Sequence, residues 1–477
     1  MAWQTTATRQ KPGGAPVTPT GSENPAAPAP FTVAGLIARI KAFLAERSDN
    51  RVAQLFAGKV FLLRVVSALI ALASQVLLAR WMGRFEFGVY IYAWTWVLMV
   101  GSLSDMGLSL AARRFIPEYT ELDEPDRLRG FLVGSRWLAL GLASGIGLIG
   151  ALGVTLLKPW LDGFTVIPLY LGCAVLPMAG LSALQAGIAQ SYNWPILALA
   201  PFYIWRQVAL TLLIGLAWLL GLPTVAVTAM IVAIVTTWAV TAGQSLLLSR
   251  RLARAVPRGP KSYAPVTWLA TSLPILLVES FYLMLTYVDI LTLEHYRSPG
   301  EVAVYYAAAR ILAVVAFVYF AIAGATTHKF TAYHVAGDHQ RLAKFFGETI
   351  RWTFWPSLAA CAAILAIGKP LLSLFGAGFT SGYPVMFILA VGMLARAAVG
   401  PAERLLNMLG ERKQCAGVYA LAFVVNLGLC TLLIPRLGIE GAAVATSIAL
   451  VVESLMLFSI TRRRLGYHVF LMRHAER

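Results

Sequence analysis

Apolar residues run unbroken from about Leu55 to Ala79, stop at a short hydrophilic stretch from Arg80 to Glu86, and resume at Phe87. A run of that length spans a bilayer core of roughly 30 Å as one helix. The hydrophilic stretch then reads as the turn of a membrane hairpin. The alternation continues along the chain and predicts twelve spans, near 55–79, 87–111, 131–157, 165–189, 196–220, 223–248, 266–291, 302–326, 351–368, 382–403, 414–434 and 438–460. Pro177, Pro201, Pro274 and Pro401 fall inside spans or at their ends, where proline kinks a helix and frees a backbone carbonyl. Residues 1–30, rich in Ala, Pro, Thr and Gly, cannot bury a core and read as a disordered tail. In 31–50, Phe31, Leu36, Ile37, Ile40, Phe43 and Leu44 recur at helical spacing opposite Arg39, Lys41 and Arg47, which predicts an amphipathic interfacial helix.

The pattern repeats. Glu86 and Glu301 lie 215 residues apart, as do Tyr90 and Tyr305, Arg114 and Lys329, and Arg136 and Arg351. A constant offset through such a length predicts two related six-helix halves, 51–248 and 266–460. A basic linker at 249–265 joins them and a basic tail at 461–477 follows. Internal repeats of this kind are common in secondary transporters, with the substrate site between them. An even number of spans per half makes the copies parallel in topology.

Composition agrees. Of 477 residues 58% are hydrophobic and 13% charged, half the charge of an ordinary soluble domain at about 25%. The net charge of +17 is distributed by loop. Cations crowd the N-terminal tail, the loops after spans two, six, eight and ten, and the C-terminus, and thin out between. The positive-inside rule places both termini in the cytoplasm and removes the need for a nucleic-acid partner. Cys173, Cys361, Cys415 and Cys430 lie in or beside apolar runs without metal-site or disulfide spacing. No cofactor or metal is expected.

Three stretches carry a resemblance. They are Leu77-Leu-Ala-Arg80-Trp-Met-Gly83-Arg-Phe-Glu86-Phe-Gly88-Val-Tyr90 with Ser104-Asp105-Met-Gly107-Leu, Tyr287-Val-Asp289-Ile-Leu running into Gly300-Glu301-Val-Ala-Val-Tyr305-Tyr-Ala-Ala-Ala-Arg310, and Leu371-Leu-Ser-Leu-Phe375-Gly376-Ala-Gly378-Phe379. Together, over roughly residues 55 to 460, they resemble the polysaccharide-transporter branch of the multidrug/oligosaccharidyl-lipid/polysaccharide exporter superfamily, the Wzx-type flippases of lipid-linked oligosaccharides. The resemblance implies an all-α polytopic protein with about twelve transmembrane helices in two pseudo-symmetric halves around a central cavity. It implies a bacterial inner membrane and alternating-access movement of a polyprenyl-diphosphate-linked oligosaccharide for polysaccharide biosynthesis. It implies membrane lipids and a coupling proton or sodium ion as further partners, and no enzyme activity. Two other readings have different requirements. A cation-coupled multidrug antiporter needs an acidic cavity, whereas arginines here at least match carboxylates in number. A glycan polymerase or ligase needs a large outward loop, and the outward loops are short.

Charges inside the spans are the candidate chemistry, because each costs at least about 2.5–3.5 kcal/mol to insert and needs a cavity or a partner. Arg64, Arg310, Arg206 and Arg396 suit an anionic diphosphate, since guanidinium binds oxyanions bidentately. Glu279, Asp289, Asp105 and Glu453 suit ion coupling or charge pairing. The repeat sets Arg64 at mid-depth opposite Glu279, 215 residues on, as a pair across the halves or as a ligand contact. Asp105, near its helix end, is expected to orient the following loop through Arg113 or Arg114. Tyr90, Tyr92, Trp94 and Trp96 are core or lipid-facing residues, or platforms for sugar rings. Gly83, Glu86, Gly88, Gly300 and Glu301 mark matched turns or a gate.

Overall fold

In the computed structural model, which describes residues 49–465, the hairpin closes on a single residue. Helix α1, Asp49–Leu103, is interrupted at Gly83, whose φ of 77° and ψ of 168° no helix accepts. Glycine adopts this conformation without steric cost. Ser74 bonds to Gln207, and Trp94 lies against the adjacent Arg206. Twenty residues apart on a straight helix, Ser74 and Trp94 would be separated by about 30 Å. The chain therefore folds back at Gly83.

All ordered elements among the described residues are helical. Nine are long and apolar enough to cross a membrane, or ten with the bent pair Pro265–Leu277 and Glu279–Tyr296 counted as one span. The first, Val60–Glu121, is 62 residues long, more than twice the roughly 20 residues that one crossing needs. It is two crossings folded at Gly83. With those separated the count is eleven; His339–Ala366, which covers the expected span at 351–368, is not among the helices apolar enough to be counted. The expected tail at 1–30, the interfacial helix at 31–50 (apart from its final residues in α1) and most of the tail at 461–477 lie outside the described residues.

After α1 the chain runs through α2 (Leu108–Glu121), α3 (Pro125–Leu157), α4 (Gly163–Ser191), α5 (Pro195–Ala200), α6 (Arg206–Leu219) and α7 (Ala226–Ala255). The second half holds α8 (Pro265–Tyr296), α9 (Pro299–Leu312), α10 (Ala316–Val335), α11 (His339–Ala366), α12 (Gly368–Ser373), α13 (Tyr383–Val399), α14 (Ala402–Met408), α15 (Arg412–Leu437) and α16 (Ile439–Leu465).

Several boundaries differ from the sequence reading. Span two breaks at 104–107, where Met106 and Gly107 take positive φ. Arg113 and Arg114 therefore sit on a helix and not in a loop. Span five is not one helix. A π-turn at Pro201–Trp205 separates α5 from α6, because Pro201 has no N–H to give the Leu197 carbonyl. Gln244 Nε2 donates to that carbonyl instead, at 3.1 Å. Lys329 lies on α10, and Arg341 and Lys344 on α11, since both helices extend past their apolar runs.

Three apolar cores hold the molecule. One joins both halves on the side of Gly83 and Pro299, here the turn side. It packs Phe87, Tyr90, Trp94 and Leu210 with Val302, Tyr305, Phe375, Phe379 and Met386. On the opposite side, that of linker 249–265, each half has its own core. One centres on Phe115, Phe131 and Leu184, the other on Phe346, Leu405 and Tyr419. Trp268, at the start of α8, belongs to the core of the first half. The 44° bend of α8 thus carries it from one half to the other. Joined at one end and separate at the other, the halves flank a cleft that opens on the linker side.

Candidate functional site

The turn side is sealed by contacts between the halves. Arg80 Nε donates to the Leu374 carbonyl at 2.5 Å. Phe87 stands edge-on to Tyr306 and Phe379, at 6.3 and 6.5 Å between ring centroids. Gly88 approaches the Pro299 carbonyl so closely that a Cβ would overlap it. Arg84 lies against Gly300 and Gly378. The Glu86 carboxylate accepts from the Ala226 N–H at 2.7 Å, at the positive end of α7. Glu301 closes a capping box with Ser298 at the start of α9. The matched glutamates thus each secure a helix N-terminus, one tertiary and one local. Sequence reasoning missed Arg80 and Arg84 as contacts between the halves, although both sit in the hydrophilic stretch.

Arg206 lies at the closed end of the cleft. It is 5% exposed and opens α6 directly after the π-turn. Its guanidinium lies over the Trp94 ring at 4.4 Å and the Phe202 ring at 4.7 Å. Nη2 donates to Gln207 Oε1 at 3.2 Å, Nε donates to the Phe202 carbonyl at 3.4 Å, and Nη1 finds no acceptor among the described residues. Among the described residues no carboxylate pairs with it. Tyr90, Tyr203 and Tyr306 stand around it. A polar thread continues from Gln207 to Ser74 and Thr211, each step 2.5 Å. Beside it Gln75 Nε2 donates to Tyr306 Oη across the halves at 2.7 Å. Ser74, Gln75 and Gln207 were also missed; their signal was polarity inside apolar runs.

From the second half, exposed Arg310 faces Tyr287, which also neighbours Tyr203 and Tyr306. Tyr203 and Tyr306 thus neighbour both Arg206 and Tyr287, and Tyr287 neighbours Arg310. Arg64 is elsewhere. Nineteen residues before Gly83, it lies about 28 Å down its helix, toward the linker side and not at mid-depth. It is exposed and lies over Phe320 at 5.7 Å. Among the ion pairs of the described residues, Arg64 and Glu279 are not joined. Both stand in a cluster of charges with Arg113 and Arg404 at the mouth of the cleft, where several groups of both signs share the pairing.

The remaining acids have separate surroundings. Asp105 accepts from the N–H groups of Gly107 and Ser109 at 3.0 and 2.8 Å, capping α2. It does not orient Arg113 or Arg114; Arg114 pairs with Glu118 at 3.3 Å. Backbone N–H groups freed by the break at 104–107 are nearer acceptor-seeking groups than either side chain. Asp289 is buried and accepts from Tyr305 Oη at 2.5 Å, Thr446 Oγ1 at 3.3 Å and the Ile290 N–H at 2.8 Å, without a cation. Arg396 and Glu453 meet at 3.6 Å. No group of three or more His, Cys, Asp or Glu among the described residues has the geometry of a metal site.

The comparisons agree with this architecture. The family model described as polysaccharide biosynthesis protein matches residues 58–327, and the MatE model matches 274–432. No curated protein matches significantly. Among solved structures, an inward-facing multidrug resistance MATE family transporter of the MOP superfamily has a TM-score of 0.70 at 16% identity, covering 84% of this chain and 94% of that one. The lipid II flippase MurJ in an inward closed conformation follows at 0.64 and 16%, covering 85% and 87%. A MOP superfamily transporter from Pyrococcus furiosus, described as having a binding pocket of reverse polarity, gives 0.63 at 14%, covering 88% and 99%. The structures share the fold, and the first family model, spanning more than half of the sequence from the Gly83 hairpin through Arg310, shows that the chain belongs to the polysaccharide biosynthesis protein family.

Proposed function

We propose that this protein is a flippase for polyprenyl-diphosphate-linked oligosaccharide. It carries the glycan from the cytoplasmic to the periplasmic leaflet of a bacterial inner membrane by alternating access. The observation that carries the reading is Arg206: a buried guanidinium, unpaired by any described carboxylate, with one nitrogen free of acceptors at the closed end of a cleft. A buried cation without a counterion is costly unless something anionic completes it. A diphosphate does so, held by Arg206 and by Arg310 opposite, with the sugars among Tyr203, Tyr287 and Tyr306 and the tail in lipid between the halves. Arg64 and Arg113 at the mouth draw the anion in, and Arg396 extends the cationic lining.

The halves, 51–248 and 266–460, rock about the bent α8 and the linker 249–265. Gly83, Glu86, Gly88, Gly300 and Glu301 form the gate that parts toward the periplasm. Asp289, with its hydroxyl donors, is suited to a coupling proton or sodium ion, and Glu453 and Glu279 are the next carboxylates for that role. With both termini cytoplasmic, the open linker side faces the substrate's source.

The MatE match over 274–432 favours cation-coupled multidrug antiport as the second reading. A cationic drug needs an accessible acid in the cleft. Asp289 is instead buried and engaged by Tyr305 and Thr446.

The test is movement of a fluorescent polyprenyl-diphosphate glycan across proteoliposome membranes. Wild type moves it. Arg206→Ala and Arg310→Ala each slow it about 10- to 100-fold, the loss of one charge-assisted contact of roughly 1.5–3 kcal/mol. Uptake of a cationic dye with no movement of the glycolipid would establish antiport instead.

A further inference from the structure

We infer that Arg396 and Glu453 form a competition switch: an anionic ligand that takes Arg396 leaves Glu453 to bind a proton, so that binding and proton uptake are one event. This deepens the flippase reading and rests on it, because it needs an anion in the cleft.

The geometry is that of a pair held apart. Glu453, on α16, is 0% exposed. Neither of its carboxylate oxygens accepts a hydrogen bond among the described residues. Arg396 Nε on α13 approaches Oε1 only to 3.6 Å, beyond the 2.7–2.9 Å of a charge-assisted hydrogen bond. Arg396 and Glu453 line one small cavity together with Ser454, Gly400 and Glu403 of α14. Arg396 is less enclosed, its side chain 30% exposed. Its guanidinium lies between Tyr282 of α8 and Tyr319 of α10, at 5.9 and 5.7 Å from the ring centres. Those faces hold the cation by the ring quadrupole with no carboxylate needed.

Arg396 therefore has two sources of support, the rings and Glu453, and Glu453 has only Arg396. The groups facing the pair are Glu403 of α14, the phenols of Tyr282, Tyr319 and Tyr419 of α8, α10 and α15, and Arg404 at longer range. Glu403 repels a charged Glu453, and among the described residues Arg396 is the cation that acts on it. When an oxyanion engages Arg396, Glu453 is a buried carboxylate without a counterion, and such a group is more stable protonated. The step balances simply. The Arg396–Glu453 contact breaks, an Arg396–oxyanion contact forms, and one aqueous proton joins a carboxylate oxygen of Glu453. Glu403, half-buried and lining the same cavity, is the nearest carboxylate that can pass that proton on.

The experiment is calorimetric titration of the full chain in nanodiscs with farnesyl diphosphate, at one pH, in buffers of different ionisation enthalpy. The slope of heat against buffer enthalpy counts protons taken up. Wild type takes up about one proton more per ligand than Glu453→Gln, which removes the titrating group and keeps its shape. The variant also binds at least as tightly, because Arg396 no longer has a competitor. Glu403→Gln keeps the proton count and slows its uptake in stopped-flow with a pH dye. Equal counts in wild type and Glu453→Gln, with both binding, overturn the switch and leave the flippase reading standing. Absence of diphosphate binding by both overturns the anion site and the switch together.

Discussion

Replacing Arg206 by methionine, a side chain of similar volume, separates a structural arginine from a functional one. Burying an unpaired guanidinium costs several kcal/mol after relaxation. Against that stand two ring faces at 4.4 and 4.7 Å, up to about 2 kcal/mol each when desolvated. Two long hydrogen bonds at 3.2 and 3.4 Å contribute at the low end of about 1.5–3 kcal/mol each for a charged donor. The sum leaves the ligand-free site near balance or about 1–2 kcal/mol on the unfavourable side, by the same magnitudes. Arg206→Met should then unfold at the same apparent Tm as wild type or about 1–3 °C above it. Ligand reverses the order. At a hundredfold excess over Kd, farnesyl diphosphate stabilises wild type by about 2.7 kcal/mol, and the variant, left with Arg310 and Arg396, gains less. The assay is thermal unfolding in detergent by intrinsic tryptophan fluorescence, with and without the diphosphate. A ligand-free variant that melts well below wild type would refute the reasoning, since it would show Arg206 to be a packing strut.

Three further outcomes follow from the geometry. Tyr305→Phe removes the 2.5 Å donor to Asp289 and should cost about 1–3 kcal/mol, read as a lower Tm; no change would mean that Asp289 is already protonated or hydrated. Glu86→Ala removes the acceptor for the Ala226 N–H and should cost about 0.5–2 kcal/mol, with faster hydrogen exchange in the first turn of α7. Gly88→Leu places atoms where the Pro299 carbonyl sits and should disfavour the closed turn side by about 1–3 kcal/mol; spin labels at Phe85 and Ser381 should report a longer distance, and an unchanged distance would remove Gly88 from the gate.

The amino-acid pattern by itself determined the crossings and their hairpins. Apolar runs bounded by polar turns have few solutions in a bilayer, because every backbone group in lipid must be bonded within its own helix. That is why the hairpin at Gly83 and the repeat at an offset of 215 were legible. The helix ends were less so. α10 and α11 continue beyond their apolar stretches, because helix propagation outside lipid does not depend on hydrophobicity. Pairing was the least legible. Arg64 and Glu279 match in the repeat, yet each ends in a cluster of charges where other partners are at hand. Asp105 found backbone N–H groups made available by a break that only the folded chain shows. Arg206 is a single cation in an apolar run until the π-turn after Pro201 directs it between Trp94 and Phe202, residues from different helices. Charge and polarity named the atoms that need partners. Which partners they meet depends on how helices distant in sequence pack, and that is settled by side-chain shape across the whole fold.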